Sequence, residues 1–219
     1  MPLELIRSET MPLLDRDPEN AGAGDAQRSA ATVRTDYERL SRWGLGLGAG
    51  VAVELGIFVL AGMVDAVGAV GAVSQLDVMV MLVAVLLAVG GGAVLMALWA
   101  SGRRLSRSAQ RWLRRSHEAS GLPRTAVGWL GARIVNIELR VFLRIATASL
   151  AVLTGIGGVA LFGRDLADGG LTALSVGALV MGLVALAAGC GQMGGVLRHV
   201  SGLAAADPVW AALRGADRR

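Results

Sequence analysis

Residues 44–64 read "GLGLGAGVAVELGIFVLAGMV", and this stretch decides the fold. Only one of its side chains, Glu54, carries a charge. A helix needs roughly 20 predominantly apolar residues to cross a hydrocarbon core about 30 Å thick. Residues 76–100 ("LDVMVMLVAVLLAVGGGAVLMALWA"), 141–163 ("VFLRIATASLAVLTGIGGVALFG") and 171–196 ("LTALSVGALVMGLVALAAGCGQMGGV") meet the same requirement. Four such runs predict an all-α membrane bundle of four transmembrane helices rather than a soluble bundle with buried helices.

Composition points the same way. Hydrophobic residues make up 54% of the 219-residue chain and charged ones 17%, where soluble domains carry about a quarter. Mean hydropathy is +0.58. With aromatics at 4% and 31 glycines, the apolar mass is small and aliphatic, which suits helices that approach closely in lipid. All 21 basic residues are arginine, a mark expected of a GC-rich bacterial genome. No short apolar segment followed by a small-residue cleavage site occurs near the start, so a cleavable signal peptide is not expected.

The segments between the runs set the orientation. Residues 101–144 hold ten arginines against Glu118 and Glu138, whereas the links 65–75 and 164–170 hold Asp65, Asp165 and Asp168 against Arg164. Arg198, Arg214, Arg218 and Arg219 add to the tail. The positive-inside rule then places the long basic loop and both termini in the cytoplasm, with Trp43 and Trp99 at the inner interface. The expected domains are a cytoplasmic N-terminal segment (1–43), a transmembrane hairpin (44–100), a basic cytoplasmic hairpin (101–140), a second transmembrane hairpin (141–196) and a cytoplasmic tail (197–219).

Within the basic loop, Leu105, Ala109, Trp112 and Leu113 recur at helical spacing with arginines on the other faces. This pattern predicts an amphipathic helix in the headgroup region, with Arg103, Arg104, Arg107, Arg111, Arg114 and Arg115 contacting anionic lipid. Pro123 in "GLP" should break it. Val127, Leu130, Ile134, Ile137 and Val141 continue the periodicity as a second arm. Residues 1–30 are expected to be flexible, and about 32–43 to form a short helix feeding the first span. Asp207-Pro208 has the form of an N-cap followed by proline, opening a short helix in the tail.

Few residues suggest chemistry. "GLGLGAG" lacks the GxGxxG spacing and a preceding strand, so no dinucleotide loop is read there. Gly44/Gly48, Gly46/Gly50 and Gly191/Gly195 instead form small-xxx-small pairs suited to helix packing. His117 and His199 are far apart and lack an acidic cluster, so no metal site is expected. Cys190 reads as a small apolar filler. The arginine cluster lacks stacking aromatics, so no nucleic-acid partner is expected. No catalytic constellation or phosphate loop occurs, and no cofactor is expected.

Glu54 is the exception. Centred in its run, it lies near the bilayer midplane, where an acid costs about 2.5–3.5 kcal/mol. Ser149 and Thr154 fall at the matching depth of the third run, and either of them or a backbone carbonyl is the expected hydrogen-bond partner. The sequence therefore predicts a non-catalytic accessory or assembly subunit that contacts lipids and either other membrane subunits or itself. The alternative is a small proton-linked channel or transporter built on Glu54.

Overall fold

The computed structural model describes residues 5–120 and 139–204, and side chains over 5–116 and 142–194. Among these residues every regular element is helical. In order they are α1 (Met11–Asp15), a single 3-10 turn (Pro18–Asn20), α2 (Ala23–Tyr37), α3 (Leu40–Val70), α4 (Gln75–Ser120), α5 (Leu139–Ala167) and α6 (Ala173–Ala204). Four helices are long and apolar enough to cross a membrane, and they contain the runs read from the sequence except that the fourth helix begins at Ala173, two residues into the run 171–196. At most 28% of the most apolar stretch of any of them is buried within the chain, so most of that surface needs lipid or protein around it. This is a multi-pass membrane protein.

The chain forms two compact units. The apolar unit comprises Trp43–Leu98 and Ile145–Gln192. Its helices meet at glycines. A Cβ added at Gly91 would lie 2.7 Å from the Ala49 carbonyl oxygen, and one at Gly56 would lie 2.6 Å from that of Ala84. These contacts seat α3 on α4. Gly158 and Gly182 do the same for α5 and α6, with a Cβ at Gly158 colliding with the Ala178 carbonyl oxygen. Gly177 lets α6 approach Ala61 of α3, where an added Cβ would lie 2.6 Å from the Ala61 methyl. Backbone-to-backbone contact of this kind maximises dispersion where lipid removes the hydrophobic drive between helices.

Hydrogen bonds close the turns of this unit. Ser74 and Asp77 cap α4 reciprocally, with Ser74 N donating to Asp77 Oδ2 at 2.8 Å and Asp77 N to Ser74 Oγ at 3.2 Å. Gly169, at φ +70°, ends α5, and the Gly170 N–H returns to the Asp165 carbonyl at 3.0 Å. Asp65 lies inside α3 rather than in a link, because the helix continues to Val70. From there its carboxylate accepts from the Ala173 and Leu174 amides at 2.8 and 2.9 Å, capping α6 from another helix.

The basic unit, where described, is built from the residues before Trp43, the stretch from Trp99 to Arg144 and the end of α6. Here two expectations are corrected. Residues before Trp43 do not form a largely flexible segment: they fold as α1, the 3-10 turn and α2 against the second half of α4. The segment 103–115 is not a separate interfacial helix; it continues α4 without a break to Ser120. Its apolar stripe is covered by protein. Leu105, Ala109 and Trp112 are at most 3% exposed and pack with Ala26, Ala30 and Val33 of α2. An apolar stripe beside a span is satisfied by any apolar surface, and α2 supplies one at matching spacing. The helix expected over 32–43 is also divided, with α2 ending at Tyr37 and α3 starting at Leu40. The break at Pro123, the second arm through Ile137 and the tail helix after Pro208 lie outside the described residues.

Candidate functional site

Glu54 sits about four turns into α3. At 100° per residue it falls between two faces. On one side, Ile57 and Ala61 meet Gly177 of α6. On the other, Leu47, Val51, Leu55 and Phe58 are between 45% and 59% exposed. The carboxylate is half-buried, and its Oε2 is fully enclosed with no hydrogen-bond partner among the described residues. The bond expected from Ser149 or Thr154 is therefore not made to that oxygen, and both residues are exposed on α5. Equal depth is not adjacency: α5 reaches the α3 side of the unit near Trp43, whose indole N–H donates to Thr147 Oγ1 at 3.3 Å. Thr147 Oγ1 in turn donates to Gln192 Oε1 of α6 at 3.3 Å.

The glycines of the first run divide by face. Gly46 makes an ordinary contact, 3.5 Å from Leu98 Cδ1 to an added Cβ, while Gly44, Gly48 and Gly50 have nothing within 4 Å. Close internal helix contacts are made at Gly56, Gly91 and Gly177. Gly44 and Gly48 share the open face of α3 with Val51 and Leu55. Gly191 is half-buried in α6, and Gly195 continues the same helix. Cys190 is exposed.

In the basic unit, arginines do two kinds of work. Some hold the N-terminal segment to α4. Arg111 donates to the Leu14 carbonyl at 2.7 Å and Arg115 to that of Ala21 at 3.3 Å. Ser108 Oγ and Trp112 Nε1 both donate to the Leu13 carbonyl at 3.0 Å. Arg103 lies over the Trp99 ring at 4.7 Å, a cation–π contact. Arg104, Arg107 and Arg114 stay exposed and form no ion pair among the described residues.

The sequence reading missed a buried polar hub. Asp36 is 1% exposed and accepts from the Arg7 backbone N–H at 3.0 Å and from Arg39 at 3.2 Å. Arg42, 8% exposed, donates to Ser101 Oγ at 2.9 Å and to the Leu5 carbonyl. Arg144 covers the Tyr37 ring at 4.8 Å and donates to the Tyr37 carbonyl at 2.7 Å. Together these bonds tie α2, α4 and the first turns of α3 and α5 into one unit. The available signal was an arginine, Arg42, set immediately before the apolar run, where a snorkelling charge was the ordinary reading. No known protein family, no characterised protein and no solved structure matches the chain.

Proposed function

We propose that this protein is a non-catalytic accessory or assembly subunit of a larger membrane complex, in the bacterial inner membrane with both termini cytoplasmic. One observation carries the reading: the open face of α3. There Gly44 and Gly48 invite close helix approach, exposed Val51 and Leu55 continue the stripe, and the unsatisfied Glu54 oxygen lies at its rim. A partner helix drawn close along Gly44 and Gly48 packs against Val51 and Leu55, the kind of contact that drives association in lipid. Arginine asymmetry between the 101–144 segment and the short acidic links supports the orientation. Arg103 and Arg104, within about 7.5 Å of Trp99 along α4, are at the level of anionic headgroups.

Purification in gentle detergent tests the reading. The wild-type protein should emerge bound to other membrane subunits or to itself, and Gly48→Ile should emerge alone yet folded, since nothing lies within 4 Å of that position. A wild-type monomer would defeat the proposal.

The same enclosed oxygen also favours a second reading, a small proton-linked channel or transporter that uses Glu54 as its relay. Glu54→Gln keeps the hydrogen bonds of a protonated acid but cannot titrate. If Glu54→Gln assembles normally but abolishes proton flux in proteoliposomes, the relay reading replaces the first. If only Glu54→Leu fails, by disassembly, the residue is a contact between helices.

A further inference from the structure

Arg104, Arg107, Arg111 and Arg114 stand at i, i+3, i+7 and i+10 on α4, which puts all four on one face of the helix over roughly 15 Å. Each is exposed. They line one wall of a groove of about 540 Å³ whose other wall comes from the N-terminal segment. That second wall is apolar, formed by Ile6, Met11 and Leu14, and its one charge is Asp15. Among the described residues no carboxylate pairs with any of the four arginines. Four like charges along one wall, uncompensated except by Asp15, form a focused positive potential.

From this groove we infer that the basic unit docks an acidic amphipathic segment of a protein partner. Carboxylates at matching helical spacing meet guanidinium groups bidentately, while apolar side chains on the adjoining face rest against Ile6, Met11 and Leu14. Asp15 then pairs with a basic residue of the same segment and fixes its direction.

Two other occupants fit less well. An anionic lipid headgroup is confined to a layer about 5–7 Å thick on each side of the hydrocarbon. Arg104 lies about 7.5 Å beyond the interfacial Trp99, but Arg111 and Arg114 lie about 18 and 22 Å along the helix. The apolar stripe that could have laid this helix onto the membrane is already covered by α2. Single-stranded nucleic acid takes its affinity from aromatic stacking beside the charges, and no aromatic side chain lines the groove.

The inference rests on the accessory-subunit reading only in requiring a protein partner, and it can fail separately. The full-length protein is placed in nanodiscs of neutral lipid and titrated with a labelled helical peptide of roughly four turns. The peptide carries Glu at i, i+3, i+7 and i+10 and Leu on the adjoining face. Anisotropy should report saturable binding that weakens as salt rises. Replacing the four Glu by Gln should abolish it. Arg107→Gln with Arg114→Gln should weaken it about tenfold, since neither side chain holds the fold. Met11→Ser, at a wall residue 59% exposed, should weaken it by a smaller factor of about two to three.

Equal binding of the Glu and Gln peptides overturns the inference. So does tighter, arginine-dependent binding of a labelled single-stranded RNA. Enrichment of phosphatidylglycerol around the wild-type protein, lost in the double variant and competing with the peptide, assigns the groove to lipid and also overturns it. A complex that survives the double arginine variant but not Gly48→Ile leaves the accessory-subunit reading standing and removes the groove from it.

Discussion

The two units bury their contacts by opposite means. In the apolar unit, contact is backbone against backbone at glycine, and large side chains such as Leu86, Val89 and Leu150, each at least 65% exposed, point away from the chain. In the basic unit, contact is side chain against side chain around Trp112 and Leu105, with carbonyls of the short helix α1 accepting from Ser108, Arg111 and Trp112. One unit leaves its apolar surface outside and the other hides it. The difference follows from solvent. Lipid gives no hydrophobic reward for clustering Leu, so only close approach pays; water rewards every buried methylene, so a tryptophan becomes the centre.

The sharpest break in this comparison is Trp112→Ala. If the basic unit has a water-type core, the loss should be about 3–5 kcal/mol of its stability, and the N-terminal segment should release from α4. Limited proteolysis at Arg16 should then become fast while the spans stay protected. If Trp112 anchored the helix to lipid instead, cleavage at Arg16 would not change.

Next in size is Gly158→Val. Its side chain would collide with the Ala178 carbonyl oxygen, so α5 and α6 would have to part, at a cost of about 3 kcal/mol. Gly157→Val, with nothing within 4 Å, should be nearly silent. Thermal unfolding in detergent should separate the two; equal midpoints would mean that glycine packing does not hold the apolar unit together.

The smallest effect is expected at Asp65→Ala, which removes two amide contacts at the start of α6 and should cost about 1 kcal/mol, read as faster amide exchange at Ala173 and Leu174. An unchanged exchange rate there would assign the cap to water.

The four long helices were legible because unbroken apolar length is itself the physical requirement for a span. The α4 periodicity of Leu105, Ala109 and Trp112 was legible too, but not what covers it: a stripe specifies an apolar neighbour without choosing between lipid and protein. The answer lay in Ala26, Ala30, Val33 and Tyr37, which repeat at i, i+4, i+7 and i+11. Small residues amid charged ones carry that signal weakly, so residues before Trp43 read as polar and loose. Glycine spacing left a related question open. Gly44/Gly48 satisfies small-xxx-small as well as any pair in the chain, yet which side of α3 turns inward is decided by its neighbours. Depth placed Glu54 but could not place its partners, since depth fixes one coordinate of three.

Asp65 also bears on the order of synthesis. Its carboxylate, on α3, accepts from amides of α6, which leaves the ribosome later. During the time taken to make more than a hundred intervening residues, that carboxylate has no amides to hold. The Ala173 and Leu174 amides at the start of α6 likewise wait for Asp65, while Thr172 Oγ1 accepts from the Ser175 N–H locally. The pair α3 and α4 is therefore completed only by α6, and a chain halted before α6 presents Asp65, near the end of α3, without the amides it holds in the finished fold.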